Sequence, residues 1–345
     1  MNFLLLPLRV SGIAVIALSL SVAEATSQTT GSDSLQTSWG DPDLQGVWDF
    51  RTITPLERPG DLADRAFLTE EEAAAFADIQ TRRQNRDLID SEQGGLNYAP
   101  ESDGGVVPYN EFWYDRGTSV ISSRRTSLVI DPSDGRLPPY TPEAQRSADA
   151  QRARGREEQR GRPRADGPED RGTGDRCIQH GKAGPPINPG GYNNNMQLFQ
   201  ARDHVAILNE QIHDVRLIPV DGPPHLGPTI PQWMGNSRGR WEGQTLVVET
   251  RDFNGRHQQV GRPRRSSGEQ LVLIERFTRL DADTLIYEYT VTDPATWVSP
   301  WTAQIPMKRN PDQVYEYACH EGNYSLTTIL RGARLEEKPA EAAAR

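Results

Sequence analysis

The C-terminal half of the chain alternates short apolar runs with tight turns, and this pattern constrains the fold most. Between residues 204 and 293, three segments each contain two apolar runs around a turn, at Asn209-Glu210, Glu242-Gly243 and Asp281-Ala282. Consecutive hairpins form an antiparallel meander. Frequent glycine (30 residues) and proline (26) also favour a loop-rich β protein. We therefore predict a mainly β fold whose meander closes into a barrel or packs as a sandwich.

The N-terminal half predicts fewer regular elements. The run LTEEEAAAFADIQTRRQNRDL, residues 68–88, predicts a helix with Thr69 as its N-cap, because glutamates fill the first turn and arginines follow near the end. LQGVWDF (44–50) and RTSLVIDPSDGRLPPY (125–140) predict short strands. Residues 141–176 mix balanced charge with Gly and Pro, so we expect a charged helix that continues into a flexible insertion.

These elements define the expected domain organisation. Residues 44–140 and 177–335 should form one domain, with the insertion between them. A flexible leader at 26–43 and a disordered tail at 336–345 would flank this domain.

The N-terminus has the features of a secretory signal peptide, residues 1–25. Arg9 precedes an apolar run from Ile13 to Val22, and Ala23-Glu24-Ala25 supplies the small-x-small pattern of a cleavage site. The run is too short to span a bilayer, and an N-terminal membrane anchor is the alternative. We expect a periplasmic or secreted protein with no integral membrane span.

The net charge limits the classes of binding partner, and the cysteine content predicts a disulfide. The formal net charge is -10, which argues against nucleic acid as a partner. Cys177 and Cys319 are the only two cysteines, and an even pair in an oxidising compartment predicts a disulfide. The sequence carries no signal for an oligomeric state.

Several motifs together resemble a family of exported bacterial proteins for which no reaction is established. The resemblance runs from about residue 44 to 335 and rests on YNEFWYDRG, RTSLVIDPSDGRLP, DRCIQHG, RGRWEGQTLVVET, ERFTRLDADTLIYEYTVTDPATW and YEYACHEGNY. It implies export and a β-rich fold, and it leaves function open. The meander is also similar, in fold alone, to lipocalin-like barrels.

Two glutamates in the hairpin at 271–293 are candidate catalytic residues. A two-residue or four-residue loop around Asp281-Ala282 places Glu275 directly opposite Glu288. Facing like charges destabilise a sheet, so the pair predicts either an exposed face or a site with a proton, cation or arginine between the carboxylates. In a pocket, one carboxyl would stay protonated at neutral pH and could act as an acid.

The stretch YEYACHEGNY, residues 315–324, supplies two more catalytic candidates. In an extended strand, Glu316 and His320 share one face and Cys319 lies on the other. This alternation argues against a zinc site built from the adjacent Cys, His and Glu. We therefore predict a structural Cys319, with Glu316 and His320 turned toward a cavity.

The segment EQIHDVRLIPVDGPPH adds His213, Arg216 and His225. A lone strand histidine is more often structural than a ligand, although imidazole is a common general base and metal ligand. His213 is therefore a candidate base, and His213, His225 and His320 are candidate metal ligands. No cofactor is predicted, and a divalent metal is left open.

The remaining candidates would contact a ligand rather than react with it. Aromatic residues near the β part either line such a cavity or fill the core. The predicted ligand-binding residues are Arg216, Trp233, Trp301, Asn323 and Tyr192.

The sequence thus predicts an exported barrel-like protein that binds a small organic molecule in an apolar pocket with a His/Glu centre. Acid–base chemistry of the lyase, hydratase or isomerase type would follow from that centre. Two alternatives stay open: a non-catalytic periplasmic binding protein, and a metal-dependent hydrolase or oxidoreductase that uses the three candidate histidine ligands.

Overall fold

The computed structural model describes residues 35–90, 92–93, 109–160, 165–180, 184–212, 214–255 and 268–343. The predicted signal peptide, residues 26–34 of the predicted leader and His213 lie outside these ranges. The described strands are β1 Gly46–Asp49, β2 Val129–Asp131, β3 Asn195–Gln200, β4 His204–Asn209, β5 Val215–Pro219, β6 Asn236–Glu242, β7 Thr245–Arg251, β8 Val272–Arg279, β9 Thr284–Thr292 and β10 Trp301–Asn310. The described α-helices are α1 Glu70–Gln84, α2 Pro142–Arg160 and α3 Tyr324–Ala343.

All ten described strands belong to one antiparallel sheet. Its order is β5-β4-β3-β1-β10-β9-β8-β7-β6, and β2 pairs with β10 beside this path. The mainly β, antiparallel prediction is therefore confirmed. Strands β5 and β6 are the two edges, and in the described part of the chain one bridge, between Val220 and Gly239, links them. Closure into a barrel is thus not confirmed.

One face of the sheet carries the core. Burial alternates along β8, β9 and β10, as the period-2 side-chain geometry of a strand requires. Four large side chains on this face, Phe277, Tyr287, Tyr289 and Trp301, contact one another in sequence with ring centroids 5.0, 5.5 and 5.6 Å apart. Such aromatic packing, together with the area it removes from water, is the main stabilising contribution of this region.

Helix α1 begins as predicted. The Thr69 hydroxyl accepts a hydrogen bond from the Glu72 backbone N–H at 3.2 Å, and the Glu72 carboxylate accepts one from the Thr69 N–H at 2.8 Å. This reciprocal capping satisfies two N–H groups that have no partner within the helix. The Arg65 side chain also bonds Glu72 and, with the Thr69 N–H, lowers the pKa of Glu72 to about 2.

The C-terminal segment differs from its prediction in two ways. Residues 311–323 form a loop rather than a strand, and in it the Cys319 N–H donates to the Tyr317 carbonyl at 2.8 Å and the Asn323 N–H donates to the His320 carbonyl at 3.2 Å. These local bonds occupy backbone groups that a strand would pair with a neighbouring strand. Helix α3 then runs to Ala343, so residues 336–343 are helical and not a disordered tail. Alanine, glutamate and lysine in this stretch are good helix formers.

The predicted disulfide is present. Cys177 and Cys319 are bonded, with their Cα atoms 5.7 Å apart and a sequence separation of 142. Nearby, the Asn323 Nδ2 donates to the Asp175 carbonyl at 3.1 Å. The loop that precedes α3 is therefore attached to the segment before β3 by a covalent bond and a hydrogen bond. None of the described helices is long and apolar enough to cross a membrane.

Candidate functional site

The β8–β9 hairpin has a different register from the predicted one. Glu275 lies opposite Tyr289, and Arg276 lies opposite Glu288. The Leu280 N–H donates to the Thr284 carbonyl at 2.9 Å around a three-residue turn, whereas the prediction assumed two or four residues. A shift of one residue moves a side chain to the other face of a sheet. The predicted pair of facing glutamates is therefore wrong, and the two glutamates lie on opposite faces.

Glu275 lies at the centre of a buried polar network. Its side chain is fully buried, and both carboxylate oxygens accept bonds from Arg216 of β5, at 3.0 Å from Nη1 and 2.6 Å from Nη2. The Tyr287 hydroxyl donates to Glu275 Oε1 at 2.8 Å and accepts from the Ile187 N–H at 3.0 Å. A bidentate guanidinium–carboxylate pair is among the strongest protein hydrogen bonds. Arg216 neutralises the charge of Glu275. The arginine of the sequence-based prediction is therefore present, but it pairs with Glu275 alone and not with Glu288.

Burial and the Glu275 charge raise the pKa of Tyr287 well above its usual value. The phenol therefore keeps its proton at neutral pH and acts as a donor to the carboxylate. Next to it, the Tyr289 hydroxyl donates to Asn188 Oδ1 at 2.7 Å, and burial raises the pKa of Tyr289 as well. Both phenols hold the segment around Ile187 against the inner face of the sheet.

A pocket lies beside this network, in the gap between the two edge strands. We call it the seam pocket. It has a volume of about 460 Å³ and is lined by Asp214–Leu217 of the β5 side, Pro231–Ser237 of the β6 side, and Ile178. Arg216 and Trp233, both predicted to bind a ligand, therefore line the same pocket.

The segment that carries Trp233 is held in place by backbone bonds. The Gln232 N–H donates to the Asp252 carbonyl at 2.8 Å, and the Asn254 N–H donates to the Gln232 carbonyl at 2.9 Å. Gly235 has a φ of +68°, and an added Cβ would lie 2.7 Å from the Arg251 carbonyl oxygen. Only glycine fits this turn, which directs the chain into β6. The wall of the seam pocket is thus fixed by the fold.

Three other predicted residues lie elsewhere. Glu288 is half-buried on the opposite face from Glu275 and accepts a bond from Gln304 Nε2 at 3.1 Å. Trp301 is fully buried in the core. Tyr192 is exposed and its ring centroid lies 6.2 Å from that of Tyr114. None of these three lines the seam pocket.

The candidate histidines and the stretch at 315–324 also fail to join Glu275. His225 Nε2 lies 3.3 Å from Glu249 Oε1, an ion-pair contact when the imidazole is protonated. Glu316 and His320 are exposed in the loop that replaces the predicted strand, and Glu316 lines a pocket of about 580 Å³ there that neither His320 nor Glu275 lines. Asn323, bonded to Asp175, stays in the same loop region. Among the described residues, no group of three or more His, Cys, Asp or Glu side chains is placed to hold a metal ion.

The sequence analysis missed the partner of Glu275, although a signal was present. Arg216 lies two positions before Ile218 in β5, so both side chains point to the same face, and Ile218 is buried on the inner face. Glu275 likewise shares one face of β8 with buried Leu273 and Phe277. A single charge within an inward-facing apolar row requires a partner of opposite sign. Matching the two isolated charges would have identified the pair.

Comparison of the chain with models of protein families, with characterised proteins and with solved structures found no match. The geometry of the described residues is therefore the basis for a functional proposal. The resemblance to exported bacterial proteins remains a prediction.

Proposed function

We propose that the protein binds a small, largely apolar organic molecule in the seam pocket. The observation that carries this proposal is the position of the pocket: Trp233 on one wall, and on the other the β5 residues on either side of Arg216, whose own side chain is fixed by Glu275. A volume of about 460 Å³ suits a small organic ligand. Val215 and Leu217, which are 52% and 64% exposed, add apolar surface at the same pocket.

The arrangement favours binding over acid–base catalysis. Glu275 has no exposed surface, and its two oxygens are occupied by Arg216 and Tyr287. A general acid or base must lie within hydrogen-bond reach of the group it serves, and Glu275 does not meet this condition. His320 and Glu316 are exposed in a separate loop. We therefore propose a non-catalytic binding protein in preference to a lyase, hydratase or isomerase.

Two further parts of this proposal concern the fold and the compartment. We propose that the sheet is a barrel interrupted at the seam, because the Asp221 N–H donates to the Gly239 carbonyl at 3.0 Å across the two edge strands. We also propose that the protein acts outside the cytoplasm, since disulfides such as Cys177–Cys319 persist in oxidising compartments.

A ligand screen with matched tryptophan variants tests the proposal. Thermal-shift screening of small apolar compounds should identify binders of the wild-type protein, and titration calorimetry should then give their Kd values. Trp233→Ala should weaken binding at least about tenfold, equivalent to about 1.4 kcal/mol. The control Trp113→Ala removes an indole that is 64% exposed and lies outside the seam pocket, so it should leave Kd unchanged. Equal Kd values in the wild type and Trp233→Ala would contradict the proposal.

A further inference from the structure

A second cluster, outside the seam pocket, contains two arginines on one aromatic ring. Arg116 Cζ lies 4.1 Å from the centroid of the Tyr114 ring, and Arg86 Cζ lies 5.1 Å from it. Guanidinium groups stack on aromatic faces, and each such contact is favourable. Two positive charges at the same ring nevertheless repel each other, and a negative charge between or beside them would relieve that repulsion.

The backbone around this cluster is well braced. The Arg86 N–H donates to Glu111 Oε2 at 2.9 Å, and the Glu111 N–H donates to Asp87 Oδ1 at 2.9 Å. These crossed bonds join the chain just after α1 to the loop that carries Tyr114 and Arg116. The Asp115 N–H also donates to the Gly191 carbonyl at 3.0 Å. The two guanidinium groups are thus held at defined positions instead of extending freely into solvent.

Arg116 has hydrogen-bond donors that the protein leaves unused. Its side chain is only 12% exposed. Nη1 donates to the Gln84 carbonyl at 2.7 Å, whereas Nε and Nη2 are buried and make no hydrogen bond. Glu111 Oε2 lies 3.6 Å from Nη2, which is within ion-pair range and too long for a hydrogen bond. Buried donors of a charged group are costly without an acceptor, so a further negative charge beside this guanidinium is favourable.

The pocket next to these donors is basic in an acidic protein. We call it the arginine pocket, and its volume is about 520 Å³. Its charged lining residues are Arg83, Arg86, Arg116 and Asp61, three positive and one negative, which gives a charge of +2. The whole chain carries -10. A local reversal of charge of this kind attracts anions.

The rest of the lining is largely apolar. It includes Ile53, Pro55, Phe76, Ile89 and Pro189. A second pocket of about 530 Å³ adjoins it and shares Gln84, Tyr114 and Arg116. An inorganic anion would use the guanidinium groups and leave these apolar walls in contact with water.

We propose that the arginine pocket binds a small organic carboxylate. The carboxylate pairs with the positive charge of the guanidinium groups that line the pocket, and the apolar part of the molecule packs against Phe76 and the prolines. A planar carboxylate matches the planar guanidinium fork. The arginine pocket and the seam pocket share no lining residue, so this proposal is independent of the one made for Trp233.

Calorimetric titration with matched probes tests the ligand class. Benzoate has a carboxylate and an apolar ring, benzamide replaces the charge with a neutral amide, acetate lacks the ring, and inorganic phosphate lacks any apolar part. Benzoate should bind the wild-type protein with a Kd of about 1 mM or tighter, and each of the other three should bind at least about tenfold more weakly. Undetectable benzoate binding, or binding of any of the other three as tight as benzoate, would overturn the proposal.

Arginine variants test the position of the site. Arg116→Gln should weaken benzoate binding at least about tenfold, and Arg116→Lys should also weaken it, since an ammonium lacks the planar fork. The control Arg82→Gln removes an arginine near the end of helix α1 that pairs with Asp78 and lines neither pocket. It should leave Kd unchanged. Wild-type affinity in Arg116→Gln would overturn the proposal.

A second variant covers the case in which Arg116→Gln fails to fold, as judged by circular dichroism. Arg83 is exposed and lines the arginine pocket, so Arg83→Gln should fold normally. It should weaken benzoate binding several-fold by lowering the positive charge of the pocket. An unchanged Kd in Arg83→Gln together with an unchanged salt dependence of binding would overturn the proposal.

Discussion

Arg216 and Arg116 are both buried guanidinium groups, and they differ in what surrounds them. Both Nη atoms of Arg216 bond the carboxylate of Glu275, so its charge is neutralised inside the protein. Arg116 uses Nη1 on a backbone carbonyl, and its nearest carboxylate, Glu111, is beyond hydrogen-bond distance from Nη2. A charge that is hydrogen-bonded to an internal carboxylate organises the fold, whereas one with only a longer ion pair at a pocket is available to a ligand. The two arginines therefore have different predicted roles.

Removing the partner of Arg216 should have the largest effect. Glu275→Gln leaves the guanidinium buried without a counter-charge, and we expect a loss of about 3–5 kcal/mol in the free energy of unfolding. Urea denaturation followed by circular dichroism measures this loss. The double variant Arg216→Met/Glu275→Leu removes both charges and should recover much of it. If the double variant were as unstable as Glu275→Gln, the loss of stability would not come from the unpaired charge of Arg216, and the prediction would be wrong.

Tyr287→Phe should have an intermediate effect. The phenol bridges Glu275 and the Ile187 N–H, and its loss leaves that buried N–H without this acceptor. We expect a loss of about 1–3 kcal/mol in the free energy of unfolding. The control is Tyr109→Phe, which removes the hydroxyl of an exposed tyrosine. Phe277→Tyr is not a suitable control, because it would add a buried hydroxyl. Equal stability of Tyr287→Phe and Tyr109→Phe would contradict the bridging role.

The same network predicts a loss of stability in alkali. Burial raises the pKa of Tyr287 and Tyr289 above the ordinary value of 10.0. The unfolded chain therefore loses these protons at lower pH than the folded chain, so the stabilisation is fully present below about pH 10 and declines as pH rises above it. Absorbance at 295 nm should show that Tyr287 and Tyr289 ionise only as the protein unfolds. Ionisation of all ten tyrosines in the folded state would contradict this.

The sequence predicted those features that depend on neighbouring residues. The β6–β7 hairpin and the capping of α1 by Thr69 follow from short motifs, and both are present, although the hairpin turns at Gly243-Gln244, one residue after the predicted Glu242-Gly243. The disulfide was predictable because the chain has two cysteines. These features need no knowledge of which strands meet in the sheet.

Features that depend on distant partners were not predictable in the same way. Arg216 and Glu275 are 59 residues apart, and they belong to strands β5 and β8, which are not neighbours in the sheet. The stretch at 315–324 alternates like a strand, but several of its backbone N–H groups bond carbonyls within the same stretch. In β8–β9, one extra turn residue reversed the face of Glu288. Arg116 was overlooked because its significance comes from buried donors, which a sequence does not show.

Arg116→Gln should have the smallest effect on stability. The substitution loses one bond to a carbonyl and a contact with Tyr114, but it also removes a buried charge that lacks a full set of partners. These contributions oppose each other, so we expect a change of less than about 1 kcal/mol.

The most direct test of the two roles is the free energy of unfolding of Glu275→Gln and Arg116→Gln, measured side by side in urea at neutral pH. Our account predicts a loss of about 3–5 kcal/mol for Glu275→Gln and of less than about 1 kcal/mol for Arg116→Gln. Equal losses, or a larger loss for Arg116→Gln, would contradict the assignment of a structural role to the first arginine and a ligand-binding role to the second.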